Sequence, residues 1–130
     1  MESARDIRRH LADPVRGMRD QVPDVFGAFT ALDQTVMIDG LLSLKVKQLI
    51  ALAIAVTKQC DGCIAAHARG AARQQASELE VAEAMAVAVL MNGGPGTVWG
   101  PRALAAYREF SEGAPDPSPT AEPRSMSSPR

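Results

Sequence analysis

Three side chains in the stretch QCDGCIAAHARG, residues 59–70, have the types and spacing for chemistry. Cys60 and Cys63 are the chain's only cysteines, and His67, one of two histidines, follows Cys63 by four residues. Helix positions i and i+3 share a face, so the two sulfurs can meet as a disulfide; an imidazole four residues further on falls on the same flank. Within reach, that imidazole accepts a thiol proton, and the imidazolium so formed favours the thiolate. A helix start adds exposed N–H groups and the positive end of the dipole, which act in the same direction. A base-activated thiol with a second thiol to resolve it is the minimum apparatus for reducing a peroxide or exchanging a disulfide. Two other readings stand beside it. Zinc needs four ligands, and Cys60, Cys63 and His67 supply three, with His10 the only further histidine. Alternatively, the cysteines are inert small hydrophobes beside a surface histidine.

The elements that must position these residues read as helices throughout. Residues 4–12 form a short helix stopped near Pro14. Pro23 opens a second helix, through DVFGAFTALDQTVM, with Val25, Phe26, Phe29, Leu32 and Val36 on one face. After a turn at 38–43, SLKVKQLIALAIAVTKQ (43–59) is a strong helix. Its run from Leu49 to Val56 is apolar on every side, which predicts burial all round, in the bundle centre or at a subunit interface. The cysteine helix spans about 60–75. Ser77 and Glu80 form a capping box for ELEVAEAMAVAVLMN, which Gly93-Gly94-Pro95 terminates. A last helix runs from Gly96 or Trp99 to Phe110. No segment shows strand alternation, so the fold is expected to be all-α. Residues 112–130 carry five of the nine prolines and four serines, and are expected to be disordered.

Composition narrows the function. The 130 residues fit one domain. They are 46% hydrophobic and only 4% aromatic, which suits closely approaching helices. A net charge of −1 argues against a nucleic-acid binder. No apolar run reaches the roughly 18 residues of a membrane span. MESARDIRRH lacks the apolar core of a signal peptide, and Glu2 and Asp6 argue against a transit peptide, so a cytoplasmic location is expected. In that reducing compartment a cysteine pair points to catalysis or metal binding rather than a structural staple. His10 reads as solvent-facing, RDIRRH as a solvated charge run, and Lys45 and Lys47 as flanks of the apolar helix. Met85 and Met91 read as core fillers, and Trp99 and Tyr107 as core or interface residues, with Trp99 a candidate for the wall of a substrate pocket.

The stretch LSLKVKQLIALAIAVTKQCDGCIAAHARGAARQQASELEVAEAMAVAVLMNGGP resembles the AhpD-like alkylhydroperoxidase and carboxymuconolactone decarboxylase family, through the apolar helix, C-D-G-C-I-A-A-H, the capped helix and Gly-Gly-Pro. The resemblance covers about residues 20–110. It implies an N-terminal segment at 1–19, an AhpD-like helical domain at 20–111 and the tail, assembled as trimers or hexamers. It assigns Cys63 as the peroxide-attacking thiol, Cys60 as the resolving thiol and His67 to a proton relay. It also implies that an external dithiol or a lipoyl-bearing protein returns electrons to the disulfide. Redox members place a glutamate twelve residues before the first cysteine, where this chain has Gln48. Glutamine keeps the size and a hydrogen-bonding carbonyl but takes up no proton. Some members have a histidine between the cysteines, where Asp61 and Gly62 stand here. Asp61 and Glu83 are candidates for a substitute carboxylate.

The expected function is therefore a thiol-dependent peroxidase acting on small organic hydroperoxides, slowed by Gln48, with no bound cofactor or metal. The alternatives are a general thiol-disulfide oxidoreductase, a cofactor-free lactone decarboxylase, and a non-catalytic assembly module whose cysteines sense oxidation. A homo-oligomer is expected on physical grounds too: five or six helices in one subunit can hardly cover two nearly all-apolar helices, 43–58 and 81–91, on every side.

Overall fold

A computed structural model describes residues 1–112; the proline-rich segment read as disordered falls, from Gly113 on, outside the described residues. The described residues form six helices and no strand: α1 Ala4–Gln21, α2 Pro23–Val36, α3 Leu44–Thr57, α4 Asp61–Arg73, α5 Glu78–Asn92 and α6 Gly94–Glu112. The all-α expectation is met. None of these helices is long and apolar enough to cross a membrane.

Local chemistry sets most boundaries. Ser3, Ser43 and Ser77 each accept, through the hydroxyl, an N–H of the first turn of α1, α3 and α5, and Glu80 completes the capping box at Ser77. Gly93 ends α5 at φ +63°, a conformation open to glycine and costly to other residues. α6 starts immediately after it, at Gly94, earlier than the sequence suggested. One boundary differs by more. α1 does not stop at Pro14 but runs through it to Gln21. Pro14 is exposed, so the carbonyl that loses its helical partner there can be hydrated, and the rest of the helix continues.

α4 lies in the middle, packed against α1, α3 and α6, while α3 also packs on α5 and α6. Its Ile64, Ala65, Ala68 and Ala71 join Leu52, Val56, Val81, Met85, Ala103 and Ala106 in one core. Small side chains on α4 and α6 let the helices approach closely. Buried Tyr107 donates its hydroxyl to the Ala76 carbonyl at 2.5 Å, tying α6 to the end of α4. Met85 is a core residue as expected; Met91 is not, being 75% exposed on the outer side of α5. α3 and α5 run parallel, since Lys45 pairs with Glu80 at one end and Asn92 donates to the Thr57 hydroxyl at the other. Their outward positions leave Ile50, Ile54, Val87 and Leu90 exposed, so the all-round burial expected of 49–56 is not achieved within one chain.

α1 is anchored at its start by α6. The backbone N–H groups of Ala4 and Arg5 donate to the two carboxylate oxygens of Glu109, both at 3.1 Å, and the guanidinium groups of Arg5 and Arg8 lie over the Phe110 ring. Part of the charge run read as solvated is thus a packing surface. His10 is exposed, as expected, and pairs with Glu2. α2 packs chiefly on α1 and buries no residue.

Candidate functional site

The joint between α3 and α4 builds the site. Gln59 adopts φ +53°, and the Cys60 N–H reaches back to the Ala55 carbonyl at 3.1 Å, closing a Schellman-type helix end. Cys60 follows at once as the N-cap of α4. The chain therefore doubles back within three residues. Gln48, nine residues before the end of α3, and His67, six after the start of α4, lie at comparable heights above the joint, about 13 and 9 Å at 1.5 Å per residue.

Two pairs result. Cys60 and Cys63 are joined as a disulfide, with Cα atoms 5.2 Å apart. The backbone N–H of Cys63 is directed at the Cys60 sulfur, 3.2 Å away. The second pair is His67 and Gln48, with Nδ1 and Oε1 2.9 Å apart. An amide oxygen only accepts, so this bond requires the proton on Nδ1. Nε2 is then the nitrogen that takes up a proton when the ring is neutral. Gln48 is 4% exposed; Cys60, Cys63 and His67 are partly buried. The Gln48 side chain thus contacts the same histidine that the sequence singled out, instead of being an isolated polar position on a buried helix. The disulfide leaves no thiolate for the zinc alternative in this state.

Glycine shapes the site at two places. A Cβ on Gly62 would come within 2.8 Å of the Leu11 side chain, so α1 rests directly on the first turn of α4. A Cβ on Gly70 would meet all three head-group atoms of Gln48, Cδ at 2.4 Å and both Oε1 and Nε2 at 2.5 Å. Sequence reasoning passed over Gly70, although a glycine inside a helix, about 1 kcal/mol worse than alanine, is itself a sign of close packing. It also passed over Arg69, buried to 5% exposure on the same helix; a charged side chain in an alanine-rich stretch gives no such sign.

The side chain bonded to His67 Nδ1 is Gln48 rather than either candidate carboxylate. Glu83 is exposed on α5, and the Asp61 carboxylate accepts the Gly62 N–H at 2.7 Å. Asp61, Ile64 and Ala65 form one wall of a cleft of about 360 Å³, with Trp99 and Arg102 opposite, the guanidinium 4.5 Å from the indole centre. Trp99 does line a pocket, but one whose α4 wall is Asp61, Ile64 and Ala65 and which is not lined by Cys60, Cys63 or His67.

Comparison with known proteins follows the same lines. The carboxymuconolactone decarboxylase family profile matches residues 23–112, from the first residue of α2 to the last of α6. The chain belongs to the carboxymuconolactone decarboxylase family. It is similar to an uncharacterised protein of Cupriavidus necator, 39% identical over 85 residues, covering 65% of this chain and 75% of that one. It is also similar to uncharacterised protein 4 in the cox locus of Paracoccus denitrificans, 42% identical over 83 residues, 64% and 75% of the two chains. In structure it resembles the apo form of a carboxymuconolactone decarboxylase family protein from Legionella pneumophila, with a TM-score of 0.78 and 38% identity over 82% of this chain and 95% of that one. The family match begins after α1, so the helix that covers Gly62 lies outside it.

Proposed function

We propose that this protein is a thiol-dependent peroxidase for small organic hydroperoxides, of the AhpD-like type. The observation that carries the reading is the Cys60–Cys63 disulfide at the start of the helix whose His67 is held by Gln48. In the reduced enzyme, Nε2 of His67 takes the Cys63 proton. The Cys63 thiolate attacks the terminal peroxide oxygen, the O–O bond breaks, and the alkoxide leaves with that proton as an alcohol. Cys63, oxidised by two electrons to a sulfenic acid, is attacked by the Cys60 thiolate. The S–S bond forms and hydroxide leaves, to be protonated to water. An external dithiol, free or on a lipoyl-bearing protein, supplies two electrons to restore both thiols and becomes a disulfide itself. Gln48 orients the imidazole but takes no proton from it, so it adds no base to the relay and turnover is slow.

The test is loss of an organic hydroperoxide in the presence of a dithiol, for wild type and Cys63→Ser. The variant is expected to be inactive; equal rates would remove the proposal. A second reading draws on the Cys63 N–H aimed at the Cys60 sulfur, which favours Cys60 as a leaving thiolate in general disulfide exchange. Fast reduction of a model disulfide with little peroxide consumption would select it. Full lactone turnover by the double serine variant would favour the decarboxylase alternative, and a single disulfide formed per chain without turnover would favour a sensor.

The peroxidase is further proposed to work in the cytoplasm as a homo-oligomer, trimeric or hexameric. The support is apolar surface that a single chain leaves uncovered, on α2 and along α3 and α5.

A further inference from the structure

We infer that Gly70 is a positioning residue: by lacking a side chain, it seats the Gln48 amide flat on α4 and so locks His67 in the form protonated at Nδ1. The effect on turnover rests on the peroxidase reading; the effect on the imidazole does not.

Gly70 follows His67 by three residues, so both lie on the side of α4 that faces α3. The Gln48 head group fills the space where a Cβ would stand on Gly70, with Cδ, Oε1 and Nε2 all within 2.5 Å of that point. Rotating the amide about its last bond relieves nothing, because the carbon and both heteroatoms collide together. Relief requires the head group to lift off α4 by about 1 Å to reach ordinary contact distance. His67 is fixed to the same helix, so the lift lengthens the 2.9 Å bond beyond the range of a hydrogen bond. Gln48 is 4% exposed, so the displaced amide has no open solvent to turn into. With the Gln48 oxygen drawn away from Nδ1, the imidazole shifts toward its ordinary preference for the proton on Nε2. In that form the nitrogen needed to accept the thiol proton already carries one.

The measurement is ¹⁵N–¹H correlation of the ring nitrogens in the full-length, ¹⁵N-labelled chain, above the imidazole titration, with His10→Gln to assign the two histidines. Wild type is expected to show Nδ1 protonated and Nε2 bare at His67, and Gly70→Ala to show the proton largely on Nε2. In parallel, Gly70→Ala should lower hydroperoxide turnover by at least about tenfold, within the range that a general base contributes. A folded Gly70→Ala whose His67 signals match wild type overturns the inference, as does a wild type with Nε2 protonated. Should Gly70→Ala fail to fold, the same question is put in a Gln48→Ala background. There the added methyl has room, so Gln48→Ala/Gly70→Ala should fold and give the imidazole spectrum of Gln48→Ala alone. Loss of the fold in that background too shows that Gly70 acts through something other than Gln48. If wild type shows the expected proton on Nδ1 but consumes no hydroperoxide, the peroxidase reading fails and the positioning role stands.

Discussion

At the scale of single residues, Gln48 decides what His67 can do. The amide oxygen orients the ring but carries no charge to balance an imidazolium. Gln48→Glu puts a carboxylate of the same size on the same nitrogen. An opposite charge at hydrogen-bond distance favours the protonated ring by about 1–3 pH units, which makes Nε2 a stronger acceptor for the thiol proton. The variant is expected to raise the peroxidase rate about tenfold, a fraction of what a full general base contributes, and to move the thiol limb of the pH–rate profile to lower pH. Stopped-flow hydroperoxide consumption across pH tests both; an unchanged rate and limb would show that another group already supplies the charge. The cysteines, His67 and position 48 were legible in the sequence because their spacing maps onto helix faces and onto the family resemblance. Their mutual contact was not, because it depends on how tightly α3 folds back on α4. Gly70, on which the Gln48 head group rests, shows in sequence only as a helix position where alanine would have been better.

At the scale of elements, the fold rests on joints whose chemistry is local. Caps at Ser77 and Gly93 were readable because each satisfies end groups with residues next to it. The extent of α1 was not, because hydration at an exposed Pro14 offsets what proline removes. The α3–α4 joint carries a testable imperfection: Gln59 sits in the left-handed region, which costs a residue with a Cβ about 1 kcal/mol. Gln59→Gly should raise the melting temperature by a few degrees without altering hydroperoxide kinetics; a lower melting temperature would mean that the Gln59 side chain makes a contact worth more than the backbone relief. The clamp between the starts of α3 and α5 responds to pH. Glu80 is held below the ordinary carboxylate range, first by the Lys45 side chain and then by the Ser77 N–H. Its folded value is the lower one, so its contribution is complete above the unfolded value and is lost as pH falls through the folded value. Both partners are more than a third exposed, so the pair is worth at most about 1 kcal/mol. Glu80→Gln should therefore melt slightly below wild type at pH 7, and the gap should close under acid titration. A gap that persists at pH 2 would assign the loss to the cap's geometry rather than its charge.

At the scale of the whole molecule, α2 is the element that a single chain does not explain. Its sequence reads as an amphipathic helix, yet Val25, Phe29, Leu32 and Val36 stand exposed at i, i+4, i+7 and i+11, with Phe29 68% accessible. Periodicity in sequence reports that a face is to be covered and says nothing about which chain covers it. Because α2 touches the remainder chiefly through α1, its apolar face adds little to the stability of one subunit. A substitution there should consequently separate assembly from folding. Phe29→Asp removes a side chain worth about 1.5–3 kcal/mol on burial and places a charge where a second copy would have to desolvate it. Each 1.4 kcal/mol is a factor of ten in association. Wild type is expected to sediment at a multiple of the 13.8 kDa subunit mass, and Phe29→Asp to weaken that association at least about a hundredfold while keeping its helical circular dichroism and melting behaviour at high dilution. A wild type that sediments as a single subunit, or a variant that assembles as before, would mean that another element covers this face or that it stays open. Loss of helicity together with loss of assembly would place α2 in the folding core after all.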